Sequence, residues 1–217
     1  MPDPLALGVL LSGSGTNLQA LIDAITAGRL NARIAVVVSN LPDAPGLERA
    51  RRHGLATVVL EHRLTPSREA YDAQLVDVLQ AHGATLVVLA GFMRLVSPVL
   101  LHAFPDRVVN VHPAFPGLHA ERQALAYGAR FTGVTVHFVD EQTDHGPILA
   151  QAAVPILPDD TEETLHARIQ RQEHRLYPFA IQLIAEGRVQ IEGRRVVITG
   201  WTPAAEGVLA SPEPPSA

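Results

Sequence analysis

Asn110-Val111-His112-Pro113 closes an apolar run, and Asp144-His145-Gly146-Pro147 follows further along the chain. An amide, an imidazole and a carboxylate can together polarise a carbonyl and manage a proton. Asn110 and His112 stand two apart, so on an extended segment their side chains share a face while Val109 and Val111 take the other. Asn110 can hold a carbonyl oxygen through its NH2 group, and His112 can donate to the same oxygen as it becomes an oxyanion. That donation needs a protonated ring, whereas an unperturbed imidazole of pKa about 6.5 is mostly neutral at pH 7. A nearby Asp144 is therefore expected to raise the pKa of His112. No nucleophilic side chain belongs to this set, so the attacking group must come from a second substrate. His137 alternates with Val134, Val136 and Phe138, which suits a core histidine or a supporting partner of the trio.

A second chemical signal is Ser12-Gly13-Ser14-Gly15-Thr16-Asn17-Leu18, between a strand pattern and a helix pattern. Backbone N–H groups at such a junction can receive an anion, and glycine lets it approach closely. Leu18 stands where a dinucleotide fingerprint needs its third glycine, and Ser39-Asn40 at the end of the second strand lacks the acid that grips a ribose diol. No Gly-Lys-Ser/Thr follows, so a Walker loop is absent. A single phosphate fits better than a nicotinamide dinucleotide or ATP. The ten histidines show no His-Glu-x-x-His spacing, and without cysteine there are no thiolate ligands or nucleophiles, so no metal is expected.

The elements that would position these groups alternate. Apolar runs at Leu5 to Leu11, Ala32 to Ser39, Ala56 to Leu60, Leu86 to Ala90 and Val108 to Val111 read as buried strands. Helical patterns at Asn17 to Ala27, Gly46 to His53, Arg68 to His82 and Pro98 to Ala103 separate them. This predicts a single-domain α/β protein, Rossmann-like, with a mostly parallel twisted sheet and helices on both faces. Gly133 to Val139 and Ile148 to Val154 add two strands joined through the Asp144 loop. Asp160 and Glu163 suggest a capping box for a long helix, Thr161 to Ala185, which Pro178 could kink. Leu165, Ile169, Leu176, Ala180 and Leu183 fall on one face of it, and Gln170, Glu173, His174 and Tyr177 on a polar neighbour. A small hairpin around Glu192-Gly193 follows, and residues 201–217 read as a loose tail.

With 217 residues, 47 % hydrophobic and 18 % charged, the chain can bury a full core. A net charge of -5 argues against a non-specific nucleic-acid binder. No apolar run reaches the roughly 18 residues of a membrane helix. The N-terminus lacks a basic region and carries Pro2 and Pro4, unlike a signal peptide, so a cytoplasmic location is expected, as monomer or homodimer.

Taken together, these motifs resemble the glycinamide ribonucleotide (phosphoribosylglycinamide) formyltransferase family. The resemblance runs in order from about residue 5 to 198. It covers the Ser12 to Leu21 run, Gly46-Leu47-Glu48-Arg49-Ala50, Ser67 to Asp72, Leu89-Ala90-Gly91-Phe92-Met93-Arg94, Asn110 to Pro113, Gly133 to Val139, Asp144 to Ile148 and Gln170 to His174. It implies transfer of the formyl group of 10-formyltetrahydrofolate to the amine of glycinamide ribonucleotide, without metal or nicotinamide. It also implies roles. Gly15, Thr16 and Asn17 would bind the ribonucleotide phosphate, with Gln170 and Glu173 on the same substrate. Met93, Arg94, Leu95 and Val96, together with Asp140, Glu141, Gln142, Thr143 and Asp144, would receive the pterin beside Asn110. Arg68, and Arg94 as a second candidate, would meet the benzoyl-glutamate end. Asn110, His112 and Asp144 would be the catalytic trio, with His137 behind them.

On this reading residues 1–200 form the formyltransferase domain, with a phosphate-binding half over about 5–100 and a folate and catalytic half over about 101–200. One departure is visible: His112-Pro113 runs through Ala114-Phe115 directly into Pro116-Gly117-Leu118-His119, about four residues shorter than the loop usual in the family it resembles. The shortening bears on loop closure more than on the identity of the trio. Two alternatives are a 10-formyltetrahydrofolate hydrolase and a non-catalytic folate- or nucleotide-binding protein. The start at the first strand, the short segment after the long helix and the acidic charge weigh against the hydrolase and against a tRNA-formylating relative.

Overall fold

In the computed structural model of the chain, residues 3–113 and 120–202 are described. The shortened segment at 114–119 and all but the first two residues of the expected tail lie outside them. Seven of the strands among the described residues join in one sheet: β1 (Leu5–Leu11), β2 (Ala32–Ser39), β3 (Thr57–Val59), β4 (Leu86–Leu89), β5 (Val108–Pro113), β6 (Phe131–Phe138) and β7 (Ile148–Pro155). Their order is β3-β2-β1-β4-β5-β6-β7. The first five run parallel, and β6 and β7 are antiparallel additions. The expected α/β architecture is therefore present. β4 and β5 pair directly, within the one sheet.

Alternation along the strands feeds two cores. Leu7, Val9 and Leu11 pack with α1 (Thr16–Thr26), α2 (Pro45–Arg52) and α6 (Glu162–Ala185) through Leu18, Leu21, Leu47, Ile169 and Ile181. Leu10, Val36 and Val38 point the other way, onto Leu75 and Leu79 of α3 (Arg68–Ala81) and Leu100 of α4 (Pro98–Ala103). Strands buried on both faces lose the polar alternation of a half-exposed sheet, which is why their sequences read as continuous Val and Leu runs. β1 has β2 on one side and β4 on the other, and the crevice beyond the carboxyl ends of such a pair is where open α/β sheets bind ligands. The glycine loop leaves β1 there, and the Gly91 segment leaves β4.

Several details differ from expectation. The long helix starts one residue later, and its cap is Thr161 with Thr164, not Asp160 with Glu163. The Asp160 carboxylate instead receives Arg168 in a two-pronged pair at 2.6 and 2.8 Å, which drives its pKa far below the usual range. Tyr177, expected on the polar face, is fully buried, and its hydroxyl faces the carbonyls of Leu89 and Val109 at 3.0 Å each. The single phenolic proton is shared between them, tying α6 to the ends of β4 and β5. Leu176 is only partly buried. A short helix, α5 (Ala120–Tyr127), adds to the expected elements; its buried positions, Ala120, Glu121 and Ala124, give no apolar period in the sequence. A hairpin of β8 (Val189–Glu192) and β9 (Arg195–Ile198) turns at Gly193 as expected.

Candidate active site

The antiparallel register sets Asn110 of β5 opposite His137 of β6, and His112 opposite Thr135. The loop from β6 to β7 then folds back over this face and delivers Asp144, whose φ of 50° is a left-handed conformation that aspartate tolerates better than most residues. The expected trio converges. Asp144 Oδ2 lies 3.6 Å from His112 Nδ1, and Asp144 Oδ1 lies 3.5 Å from Asn110 Nδ2. His137 is buried beside them, with Nδ1 2.9 Å from the Phe138 carbonyl and Nε2 3.4 Å from Asn110 Nδ2. A carbonyl only accepts, so Nδ1 carries a proton toward Phe138, while Nε2 also faces Asp144 Oδ1 at 3.7 Å. Asn110 thus directs its NH2 group at Asp144 Oδ1 with His137 Nε2 beside it, both contacts at the outer limit of a hydrogen bond. Such long contacts leave the amide free to turn to a stronger acceptor.

The charge state of His112 departs from expectation. Burial pushes its pKa below the ordinary value, and His137 adds to that direction, so the pull of Asp144 does not raise it overall. Taking an imidazolium out of water costs more than one partly exposed carboxylate at 3.6 Å returns. The resting ring is therefore neutral at pH 7. Asp144 remains the group that favours the cation whenever it forms.

Gly146 shows how tightly the Asp144 loop is seated. A Cβ there would land on the Phe138 carbonyl oxygen and press on Asp140 N. Gly146→Ala is expected to cost about 1–3 kcal/mol through the displaced backbone, and to lower kcat because Asp144 moves with it. Urea unfolding and initial rates check this; wild-type values for both would show that the loop is not held here.

In front of the trio opens a cleft of about 500 Å³. Its wall includes Arg68, Met93, Arg94, Leu95, Val96 and all of Asp140, Glu141, Gln142, Thr143 and Asp144, so every residue expected around the pterin lines one space. Met93 and Leu95 are more than half exposed in it, an apolar surface open to a flat ring. The two arginines differ. Arg94 lies 4.6 Å from the centre of the Tyr71 ring, with its Nε buried and without a hydrogen-bond partner. Arg68 is 43 % exposed and only loosely paired with Glu69 at 3.6 Å, which leaves it the freer cation for a carboxylate.

The second expected cluster also assembles. Gly15, at φ 71°, turns the chain into α1, and a side chain there would meet Gly46 Cα at 2.7 Å. Gln170 Nε2 donates to Thr16 Oγ1 at 3.2 Å, and Asn17 Nδ2 donates to Glu173 Oε2 at 3.1 Å. Burial raises the pKa of Glu173, with the Asn17 hydrogen bond pulling against it. One charged neighbour was assigned no role from sequence: Arg49 of α2 donates Nε to the Ser14 carbonyl at 2.7 Å, placing a cation on the glycine loop. The signal was present in the Gly46 to Ala50 run, but a helix-borne arginine distant in sequence gives no hint that it reaches the loop. Among the described residues no group of three His, Cys, Asp or Glu side chains is arranged to hold a metal ion, and no helix is long and apolar enough to cross a membrane.

Known proteins share this arrangement of elements. A family model described as formyl transferase matches residues 6–181. The chain is 42 % identical over 206 residues to the phosphoribosylglycinamide formyltransferase of Escherichia coli (strain K12), covering 93 % of this chain and 97 % of that protein. Among solved structures, glycinamide ribonucleotide transformylase 1 from Symbiobacterium toebii superposes with a TM-score of 0.89 at 54 % identity, over 91 % of this chain and 95 % of that one. A formyltetrahydrofolate deformylase from Burkholderia mallei superposes with a TM-score of 0.82 at 30 % identity, over 90 % of this chain and 70 % of that one.

Proposed function

The chain belongs to the formyl transferase family and groups with its phosphoribosylglycinamide formyltransferases, and from that premise we propose that it transfers the formyl group of 10-formyltetrahydrofolate to the amine of glycinamide ribonucleotide, a step of purine biosynthesis. The observation that carries the assignment to this site is the meeting of Asn110, His112 and Asp144 on one wall of the cleft. The glycine loop, Gln170 and Glu173 take the ribonucleotide, and Arg49 supplies the positive charge that a phosphate dianion favours. Met93 to Val96 and the 140–144 loop take the pterin, and Arg68 the glutamate end.

Formyl transfer then follows from the residues. The free amine of the ribonucleotide attacks the formyl carbon, and the carbonyl electron pair moves onto oxygen. Asn110 Nδ2 and His112 Nε2 donate to that oxyanion. Because His112 Nδ1 faces the Asp144 carboxylate, the ring donates from Nε2 only as the imidazolium; it takes the second proton from solvent before the attack and keeps it as the oxyanion collapses, and Asp144 favours that cation. Asp144, through water, accepts the proton lost by the attacking nitrogen and returns it to N10 of the folate as the C–N10 bond breaks. Tetrahydrofolate and the formylated ribonucleotide leave. Binding both substrates side by side converts the attack into a step within one complex.

Initial rates of tetrahydrofolate release test the proposal. Release that requires glycinamide ribonucleotide supports it. Equal release with water alone would instead match the deformylase reading, and no release despite binding of both substrates would match a non-catalytic binding protein.

A further inference from the structure

Ser12 and Asn40 lie at the crevice beside β1 but have no place in the steps above. Both are nearly fully buried. The β1–β4 ladder continues one step past the strands, with Ser12 N donating to the Gly91 carbonyl at 2.9 Å. Gly91, at φ 74°, then turns the chain away and ends the ladder. At that break the Ser12 hydroxyl accepts the next available donor, the Met93 backbone N–H, at 2.9 Å. Its own proton goes to Asn40 Oδ1 at 2.6 Å, and Asn40 Nδ2 lies 3.3 Å from His62 Nδ1. A hydroxyl has one proton to give, and here both its donor and acceptor functions are engaged in the interior. Directly after Ser12, the Gly13 carbonyl accepts from Gly46 N at 3.0 Å and the glycine loop begins.

We propose that Ser12, held by Asn40, is a positioning residue that ties the Met93–Val96 segment to the glycine loop, so that a ligand seated on one steadies the other. The assignment of the two ligands rests on the proposed function, whereas the tether is a property of the unliganded chain. If one rigid residue anchors both segments, ordering either by a ligand removes part of the cost of ordering the other, and the coupling is reciprocal.

Amide hydrogen exchange and calorimetry on the full chain test this. In Ser12→Ala the Met93 amide loses its acceptor and should exchange about tenfold faster, with the β1 and β4 amides unchanged. Tetrahydrofolate should bind about tenfold more weakly, and the mutual enhancement between the two ligands should fall toward none. Ser12→Thr, which keeps the hydroxyl oxygen, should restore slow Met93 exchange. Asn40→Ala, leaving Ser12 in place without an acceptor for its proton, should reproduce the loss in weaker form and serves if Ser12→Ala does not fold. Wild-type Met93 exchange in Ser12→Ala would overturn the tether, whatever the protein binds. Wild-type binding enhancement in a variant with fast Met93 exchange would overturn the coupling. Failure of the wild-type chain to bind either substrate would count against the proposed function, and the exchange result would still decide the tether.

Discussion

His112→Ala is expected to lower kcat by about 100- to 1000-fold, the loss that follows removal of one donor to a developing oxyanion, while the KM for glycinamide ribonucleotide stays near its wild-type value. The separation of sites explains the split. His112 stands on the rim of β5, facing Asp144 and the cleft, whereas the ribonucleotide is assigned to the glycine loop and α6. An interaction made only in the transition state disappears from kcat and leaves ground-state affinity alone. Steady-state kinetics with each substrate varied in turn measure this. A large rise in KM at unchanged kcat would place His112 in ground-state binding.

Asp144→Asn carries the second large effect, and its sign follows from the opposing influences on His112. Burial lowers the pKa of the ring, and Asp144 works against that by favouring the charged form. Removing the carboxylate leaves burial unopposed, so the His112 titration moves further below the ordinary value of about 6.5. The imidazolium fraction falls as pH rises through the pKa. The falling limb that it contributes to the rate therefore moves to lower pH, while the rising limb set by the free amine of the substrate stays. With proton transfer through Asp144 also lost, kcat at neutral pH should drop by about 100-fold or more. Asparagine is accommodated in left-handed backbone, so the loop keeps its shape at φ 50°. NMR titration of the His112 ring in both proteins checks the shift; an unchanged or higher midpoint in the variant would remove Asp144 from this role.

Much of the scaffold was legible because parallel strands buried on both faces announce themselves as Val and Leu runs, and because glycine marks the sharp turn after β1. That Asn110 and His112 stand together was legible for a simpler reason: they share a strand face by period alone, and their strand ends at a crevice. What stayed hidden depends on contacts between distant segments. Tyr177 looked polar because its hydroxyl counts as such, yet the Leu89 and Val109 carbonyls satisfy it in the core. The Thr161 cap displaced the Asp160 reading because Arg168, two helical turns on, claims the Asp160 carboxylate. The depressed pKa of His112 was equally out of reach, since charge pairing can be guessed from residue types while desolvation depends on what covers the ring. Arg49 belongs with these: its helix carries it to the Ser14 carbonyl from more than thirty positions away in sequence.

Tracing the formyl carbon tests the proposed chemistry most directly. Wild-type protein and His112→Ala are each mixed with 10-formyltetrahydrofolate carrying carbon-13 in the formyl group, with and without glycinamide ribonucleotide, and the label is followed by NMR. In the wild type the label should pass to the ribonucleotide amine in step with tetrahydrofolate formation, only when the ribonucleotide is present, and far more slowly in His112→Ala. Label appearing as formate at the same rate without the ribonucleotide, or transfer undiminished in His112→Ala, would contradict direct transfer at the Asn110, His112 and Asp144 face.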